Sequence, residues 1–176
     1  MNPNSKLMDM LVGYAASHQH PFNVGAHLLG IPTIMLGVFI ALSWLSFEFN
    51  GFSFNMAHVA AVGLFLFYLS LDALFAFVYL LVGLIVAFIA TEIGRAPLPV
   101  SGGVAAATFF GGYALQFVGH AVEKSMPVLV RHPVQANLAA PFFTIVEIFG
   151  LMGLRKDLFG AVQQQVAERR RREAAA

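Results

Sequence analysis

The stretch from Met56 to Thr91 constrains this chain most: it is apolar almost throughout and is about twice the ~20 residues that one bilayer crossing needs. Its only polar interruption is Ser70-Leu71-Asp72, so it reads as two helices joined by a very tight turn. Three more apolar runs flank it: Leu28 to Phe47, entered through the turn-like Gly30-Ile31-Pro32, then Val100 to Val118, and Asn137 to Leu154. A polar linker with Gly and Asn covers Glu48 to Asn55. Gly94 to Pro99 stops the third helix, because proline removes a donor and fixes the backbone. None of these runs shows the apolar/polar alternation of a membrane barrel. Backbone facing lipid must satisfy itself internally, which leaves helices. Composition agrees: 59% of residues are hydrophobic and 11% charged, where soluble domains average about 45–50% and 25%. The expected fold is all-α, an integral membrane helical bundle.

Lysine and arginine positions orient the bundle. Lys6 precedes the first run, Lys124 and Arg131 follow the fourth, and Arg155, Lys156 and Arg169 to Arg172 lie in the tail. Four crossings gather all of these at one face, leaving only Arg95 opposite. Five full crossings would send the arginine-rich tail to the far side. Asn137 to Leu154 is therefore read as re-entrant, interfacial or buried against the bundle, and Pro141 and Glu147 within it make it a poor ordinary span. The expected division is a membrane helical domain over residues 1–155, with the site below at its cytoplasmic face, and a basic polar tail over 156–176. Both termini are expected in the cytoplasm, at a bacterial inner membrane or, in a eukaryote, the endoplasmic reticulum. The N-terminus lacks the pattern of a cleavable signal. A net charge of +1 shows no face for nucleic acid, and the absence of cysteine excludes disulfides, thiolate metal sites and a cysteine nucleophile.

In that topology His18, His20, His27 and His120 share one membrane face, with Glu123 and Asp72. Ionisable groups gathered at one end of a membrane bundle suggest a site. Asn23 and His27 are four apart, as are Gln116 and His120, while His120 and Glu123 are three apart; each pair shares a helix face. His20 precedes Pro21 and is biased toward extended backbone, so His18 and His20 can project the same way. Imidazoles with one or two carboxylates and no thiolate suit Fe(II), Zn(II) or Mn(II). Open coordination positions would make iron and oxygen chemistry accessible.

Each feature also has a bland reading. A lone histidine near a membrane interface is more often a hydrogen-bonding residue than a ligand, and that suits His58 and His132. Four converging histidines favour a metal instead. Asp72 reads as a helix cap, Glu147 as a partner for a tail arginine or a group near the substrate, and Arg169 to Arg172 as contacts for anionic headgroups.

Two blocks carry a family resemblance. One is His18-Gln19-His20-Pro21-Phe22-Asn23-Val24-Gly25-Ala26-His27, continuing to Gly30-Ile31-Pro32-Thr33. The other is Gln116-Phe117-Val118-Gly119-His120, followed by Glu123, Pro127, Leu129, Gln135, Ala140-Pro141 and Glu147. In this order, from about Tyr14 to Leu154, the chain resembles the 2-hydroxy fatty acid dioxygenase family, whose eukaryotic member acts in the breakdown of phytosphingosine to odd-numbered fatty acids. The resemblance implies an Fe(II)-dependent dioxygenase of fatty acid α-oxidation, taking a 2-hydroxy fatty acid and O₂ to the acid one carbon shorter. It implies iron on His18, His27 and His120, with His20 a further candidate ligand and Glu123 a catalytic candidate. Asn23 or Gln116 would orient the imidazoles, and Lys124 or Arg131 would attract the carboxylate, while the acyl chain stays in the bilayer. Expected partners are the substrate, O₂ and lipid, with a homo-oligomer also compatible. Two competing functions are a small transporter or channel, which needs ionisable residues spread through the bilayer depth, and a non-catalytic scaffold, indifferent to loss of the histidines.

Overall fold

The computed structural model describes residues 6–16, 18–131 and 133–174. The chain runs α1 (Lys6–Ala16), α2 (Pro21–Ser43), β1 (Ser46–Phe49), β2 (Phe52–Asn55), α3 (Met56–Leu69), α4 (Ala73–Gly94), α5 (Leu98–Glu123), α6 (Val128–Arg131), α7 (Pro133–Leu151) and α8 (Lys156–Ala174). Helices α2, α4, α5 and α7 are long and apolar enough to cross a membrane, and α1 and α3 are shorter apolar helices. The protein is an all-α, multi-pass membrane bundle. Leu74, Phe77, Leu81, Ile85 and Phe88 of α4 are exposed at helical spacing, which gives that helix a stripe for lipid.

The principal seam joins α2 and α5. They run antiparallel, with Gly30 facing Gly112, Gly37 facing Ala105 and Phe109, and Gly119 facing Asn23 and Ala26. A methyl on Gly112 would lie 2.6 Å from Ile34 Cγ1 and 2.7 Å from the Gly30 carbonyl oxygen, and one on Gly37 would lie 2.7 Å from the Ala105 carbonyl oxygen. Small residues let the two backbones touch, the usual basis of helix association in lipid.

Both expected breaks are present. Ser70 to Asp72 forms the turn, and Asp72 caps α4 by accepting the Phe75 N–H at 3.2 Å. α4 ends at Gly94 and α5 begins at Leu98. Three boundaries differ from the sequence reading. The first long helix starts at Pro21 rather than near Leu28 and passes straight through Pro32; the Thr33 hydroxyl donates to the Leu29 carbonyl at 2.7 Å beside the lost backbone bond. Lys6–Ala16 is a helix in its own right, which buries Leu7, Met8, Leu11 and Val12. The Glu48 to Asn55 linker belongs to a hairpin pairing Phe49 with Phe52. Asn50 and Gly51 turn it, with φ of 49° and 79°, the pattern of a two-residue loop with both central residues left-handed.

The last apolar run, expected to be re-entrant or interfacial, forms α7, which packs against the α3–α4 corner. Tyr68 Oη donates to the Leu138 carbonyl at 2.7 Å, and Phe75 packs against both Phe142 and Phe149. Arg155 pairs with Asp72 at 2.6 Å, with its guanidinium over the Phe75 ring. Helix α7 has 19 residues, about 28 Å in length, and is one of the four helices long and apolar enough to cross a membrane. The tail helix α8 buries Leu158, Val162 and Val166 and packs on α1.

A test of the seam compares adjacent glycines. Gly112→Ala should lower the thermal stability of the detergent-solubilised protein by about 1–3 kcal/mol, an overpacking cost. Gly111→Ala, where an added methyl meets open space, should leave it unchanged or raise it; equal behaviour of the two variants would refute the packing argument.

Candidate metal centre

Three elements each deliver one buried imidazole. His18 lies in the connector between α1 and α2, His27 in the second turn of α2, and His120 in the last turn of α5. The antiparallel seam brings the start of α2 beside the end of α5. Ring centroids are 4.3 Å apart for His18 and His27, 5.0 Å for His18 and His120, and 4.9 Å for His27 and His120, with the rings close to perpendicular. One ring nitrogen from each lies within 4.8 Å of the others, and among the described residues this is the one such cluster.

Every Nδ1 is already engaged on the outer side. That of His18 is 2.8 Å from the Tyr14 carbonyl oxygen, and that of His27 is 3.0 Å from the Asn23 carbonyl oxygen. A carbonyl oxygen only accepts, so both Nδ1 atoms carry the proton and both Nε2 atoms present a lone pair. His120 Nδ1 is 2.8 Å from Ser125 Oγ. The chain reaches that contact by reversing at Lys124, whose φ is 55°; the Ser125 N–H then donates to the His120 carbonyl at 3.0 Å. The Tyr14 ring stacks on His18 at 3.9 Å and on Phe143 of α7 at 4.1 Å, so α7 backs the site.

This arrangement fits a divalent metal. His18 Nε2 is buried without a hydrogen-bond partner among the described residues, a costly condition for a lone pair unless a cation supplies what is missing. Burial, with His27 beside it, pushes His18 down to about 3, which keeps it in the neutral form that binds metal. Held tautomers and oriented rings are what partners of metal-ligating histidines provide. Three imidazoles, with no thiolate in the chain, suit iron or zinc. Three protein ligands also leave positions open for substrate, as at catalytic sites. The donor set is consistent with a mononuclear Fe(II) centre.

The remaining candidates fall into distinct places. His20 is exposed and does not join the cluster: its Nδ1 accepts the Phe22 N–H at 3.2 Å and caps α2, which corrects its reading as a ligand. Glu123 holds the connector rather than the ion. Its carboxylate accepts the Gln19 N–H at 2.9 Å and the Asn23 side-chain amide at 2.6 Å. The main-chain carbonyl of Asn23 accepts from His27 Nδ1, while its side-chain amide is used on Glu123. Gln116 does not hold His120, whose Nδ1 is taken by Ser125; it lines a cavity beneath the histidines. Lys124 is exposed and Glu147 half-buried, both off the wall of that cavity. Among the described residues Glu147 makes no ion pair with the tail, since Arg155 is taken by Asp72. The side chain of Arg131, and His132, lie outside the described residues. His58 is hydrogen-bonded to Asn55 Oδ1 at 2.9 Å, the bland role expected for it. Sequence reasoning missed Tyr14 and Ser125. The four-residue spacing of Tyr14 and His18 is a signal that α1 makes readable, whereas nothing local points to Ser125.

Metal analysis of purified variants tests the assignment. His18→Ala, His27→Ala and His120→Ala should each lose stoichiometric metal, and His20→Ala should keep it. Glu123→Ala should weaken retention about 10- to 100-fold, the usual cost of losing a partner behind the ligands; metal loss confined to His20→Ala would overturn the assignment. His18 titrates near 6.5 when unfolded and at about 3 when folded, so the unfolded chain binds more protons between those values. The melting temperature of the metal-free protein should accordingly fall as pH drops from 6.5 toward 4, and a flat profile would contradict the buried neutral form.

No curated protein and no solved structure matches the chain. A family model does, over residues 5–152 of 176: Mpo1-like, described as 2-hydroxy-palmitic acid dioxygenase Mpo1-like. That match takes in the connector, both helices of the seam and α7, and with it the chain belongs to the Mpo1-like 2-hydroxy fatty acid dioxygenase family.

Proposed function

We infer that the protein is an Fe(II)-dependent dioxygenase of fatty acid α-oxidation, acting on a long-chain 2-hydroxy acid with O₂ to yield the acid one carbon shorter. The observation that carries this is the buried trio of imidazoles in a chain of this family. His18, His27 and His120 would hold the iron through Nε2. Bound Fe(II) supplies the oxygen activation that side chains cannot.

The chain's own groups do the rest. Tyr14, Asn23 and Ser125 fix the ring orientations from outside. Glu123 clamps the connector carrying His18 to the start of α2. The histidines are almost fully buried, which excludes bulk water and strengthens every polar contact inside. Gln116 stands one turn before His120 on the cavity wall and offers an amide to the 2-hydroxyl or carboxylate of the substrate.

The decisive measurement is O₂ uptake by iron-loaded protein in detergent on 2-hydroxypalmitate. Uptake should accompany formation of the acid one carbon shorter, and it should fall by at least 10³-fold in His120→Ala, on the scale of losing a metal's electrostatic contribution. Full activity in metal-free protein would end the reading. The histidine end is proposed to face the cytoplasm, supported by the basic residues gathered there. The chain has no cysteine, so single replacements give clean reporters: in intact cells an impermeant thiol reagent should label Ser53→Cys in the hairpin and spare Gln164→Cys in α8. The reverse pattern would invert the orientation.

A further inference from the structure

We propose that the acyl chain of the substrate is drawn out of the bilayer into a groove along the α2–α5 seam, and that Val38 and Phe109 set the chain length it accepts. This rests on the dioxygenase reading above. A cavity of about 790 Å³ begins at the three histidines and continues away from them. On α2 its wall is His27, Ile31, Ile34, Met35, Val38 and Phe39, and on α5 it is Phe109, Tyr113, Gln116, Phe117 and His120. Both sets recur at three- and four-residue spacing, so each is one unbroken helix face. Helix α7 closes the third side through Ala139, Ala140 and Phe143.

Length and chemistry both suit an acyl chain. From His27 to Phe39 is about 18 Å, and from Phe109 to His120 about 16 Å, at 1.5 Å per helical residue. A saturated chain advances about 1.3 Å per carbon, so 16 carbons extend about 19 Å. On the α5 wall the polar groups Gln116 and Tyr113 follow His120, and Asp9 of α1 and Gln135 of α7 also line the cavity. Below Gln116 the polar pair Tyr113 and Asn137 is satisfied internally, the tyrosine hydroxyl donating to Asn137 Oδ1. Beyond that pair the α2 and α5 walls, with Leu64 of α3, are apolar.

A second groove of about 380 Å³ follows the same seam toward Trp44, and it shares Val38 and Phe109 with the first. These two side chains therefore stand where one compartment passes into the next. They do so beside a close backbone approach of the two helices, since a methyl on Gly37 would lie 2.8 Å from the Phe109 amide nitrogen. A constriction at such a contact has little room to yield. Chains of about 16 carbons end at it, and longer ones must pass it.

The test is a chain-length profile of kcat/KM on 2-hydroxy acids of 10 to 22 carbons. Melting-temperature shifts on adding each acid to the same iron-loaded protein serve as a binding readout. Val38→Trp should cut kcat/KM for the 16-carbon and longer acids by at least about tenfold relative to the 12-carbon acid, the discrimination that a misfitted methylene brings in an apolar pocket. Phe109→Ala should shift the preference the other way, toward 20 carbons and beyond, and covers the case in which the tryptophan variant fails to fold. Unchanged profiles in iron-replete, active variants would overturn this proposal and leave the enzymatic reading intact. A wild-type protein that consumes none of the acids would overturn the enzymatic reading itself.

Discussion

The contact on which this structure depends is the glycine-lined seam of α2 and α5. In lipid there is no hydrophobic force to press helices together, so close backbone approach has to supply the cohesion. Gly30, Gly37, Gly112 and Gly119 permit that approach from Asn23 to Gly37 of α2 and from Ala105 to Gly119 of α5. Because the pairing is antiparallel, the start of α2 meets the end of α5, and the register that seats Gly119 on Asn23 and Ala26 also sets His27 beside His120. Packing and ligand placement are thus one constraint. A slip of one residue would rotate an imidazole by about 100° around its helix and out of the cluster.

Around that seam, charge and burial are arranged economically. The ligand histidines are buried yet neutral, and their outward nitrogens are satisfied by two main-chain carbonyls and a serine hydroxyl, so no second charge enters the apolar end of the bundle. The one carboxylate beside them, Glu123, is used across the chain to bind Gln19 and Asn23. The Asp72–Arg155 pair is partly buried and ties the end of α7 to the turn between α3 and α4.

Much of this was legible in the residues. The apolar runs, the turn at Ser70 to Asp72, the break at Gly94 and the odd character of the Pro141 segment followed from length, proline chemistry and the side preference of basic residues. Convergence of His18, His27 and His120 followed from crossing parity. Less was legible where the deciding partner is main chain. Which nitrogen of an imidazole faces inward depends on carbonyls of Tyr14 and Asn23 that any residue type would present. His20 looked equivalent to His18 until the helix was seen to start at Pro21, which makes His20 its cap. The α1 helix was readable from Leu7, Met8, Leu11 and Val12, and the hairpin from Asn50-Gly51, but both were outweighed by the far stronger apolar runs beside them.

The three imidazoles come from distant parts of the sequence, His18 and His27 close together and His120 more than ninety residues later. Chains emerge from the ribosome beginning at the N-terminus, so the cluster can close only once α5 has been made and has joined α2. A shorter nascent chain would offer a cation two footholds instead of three.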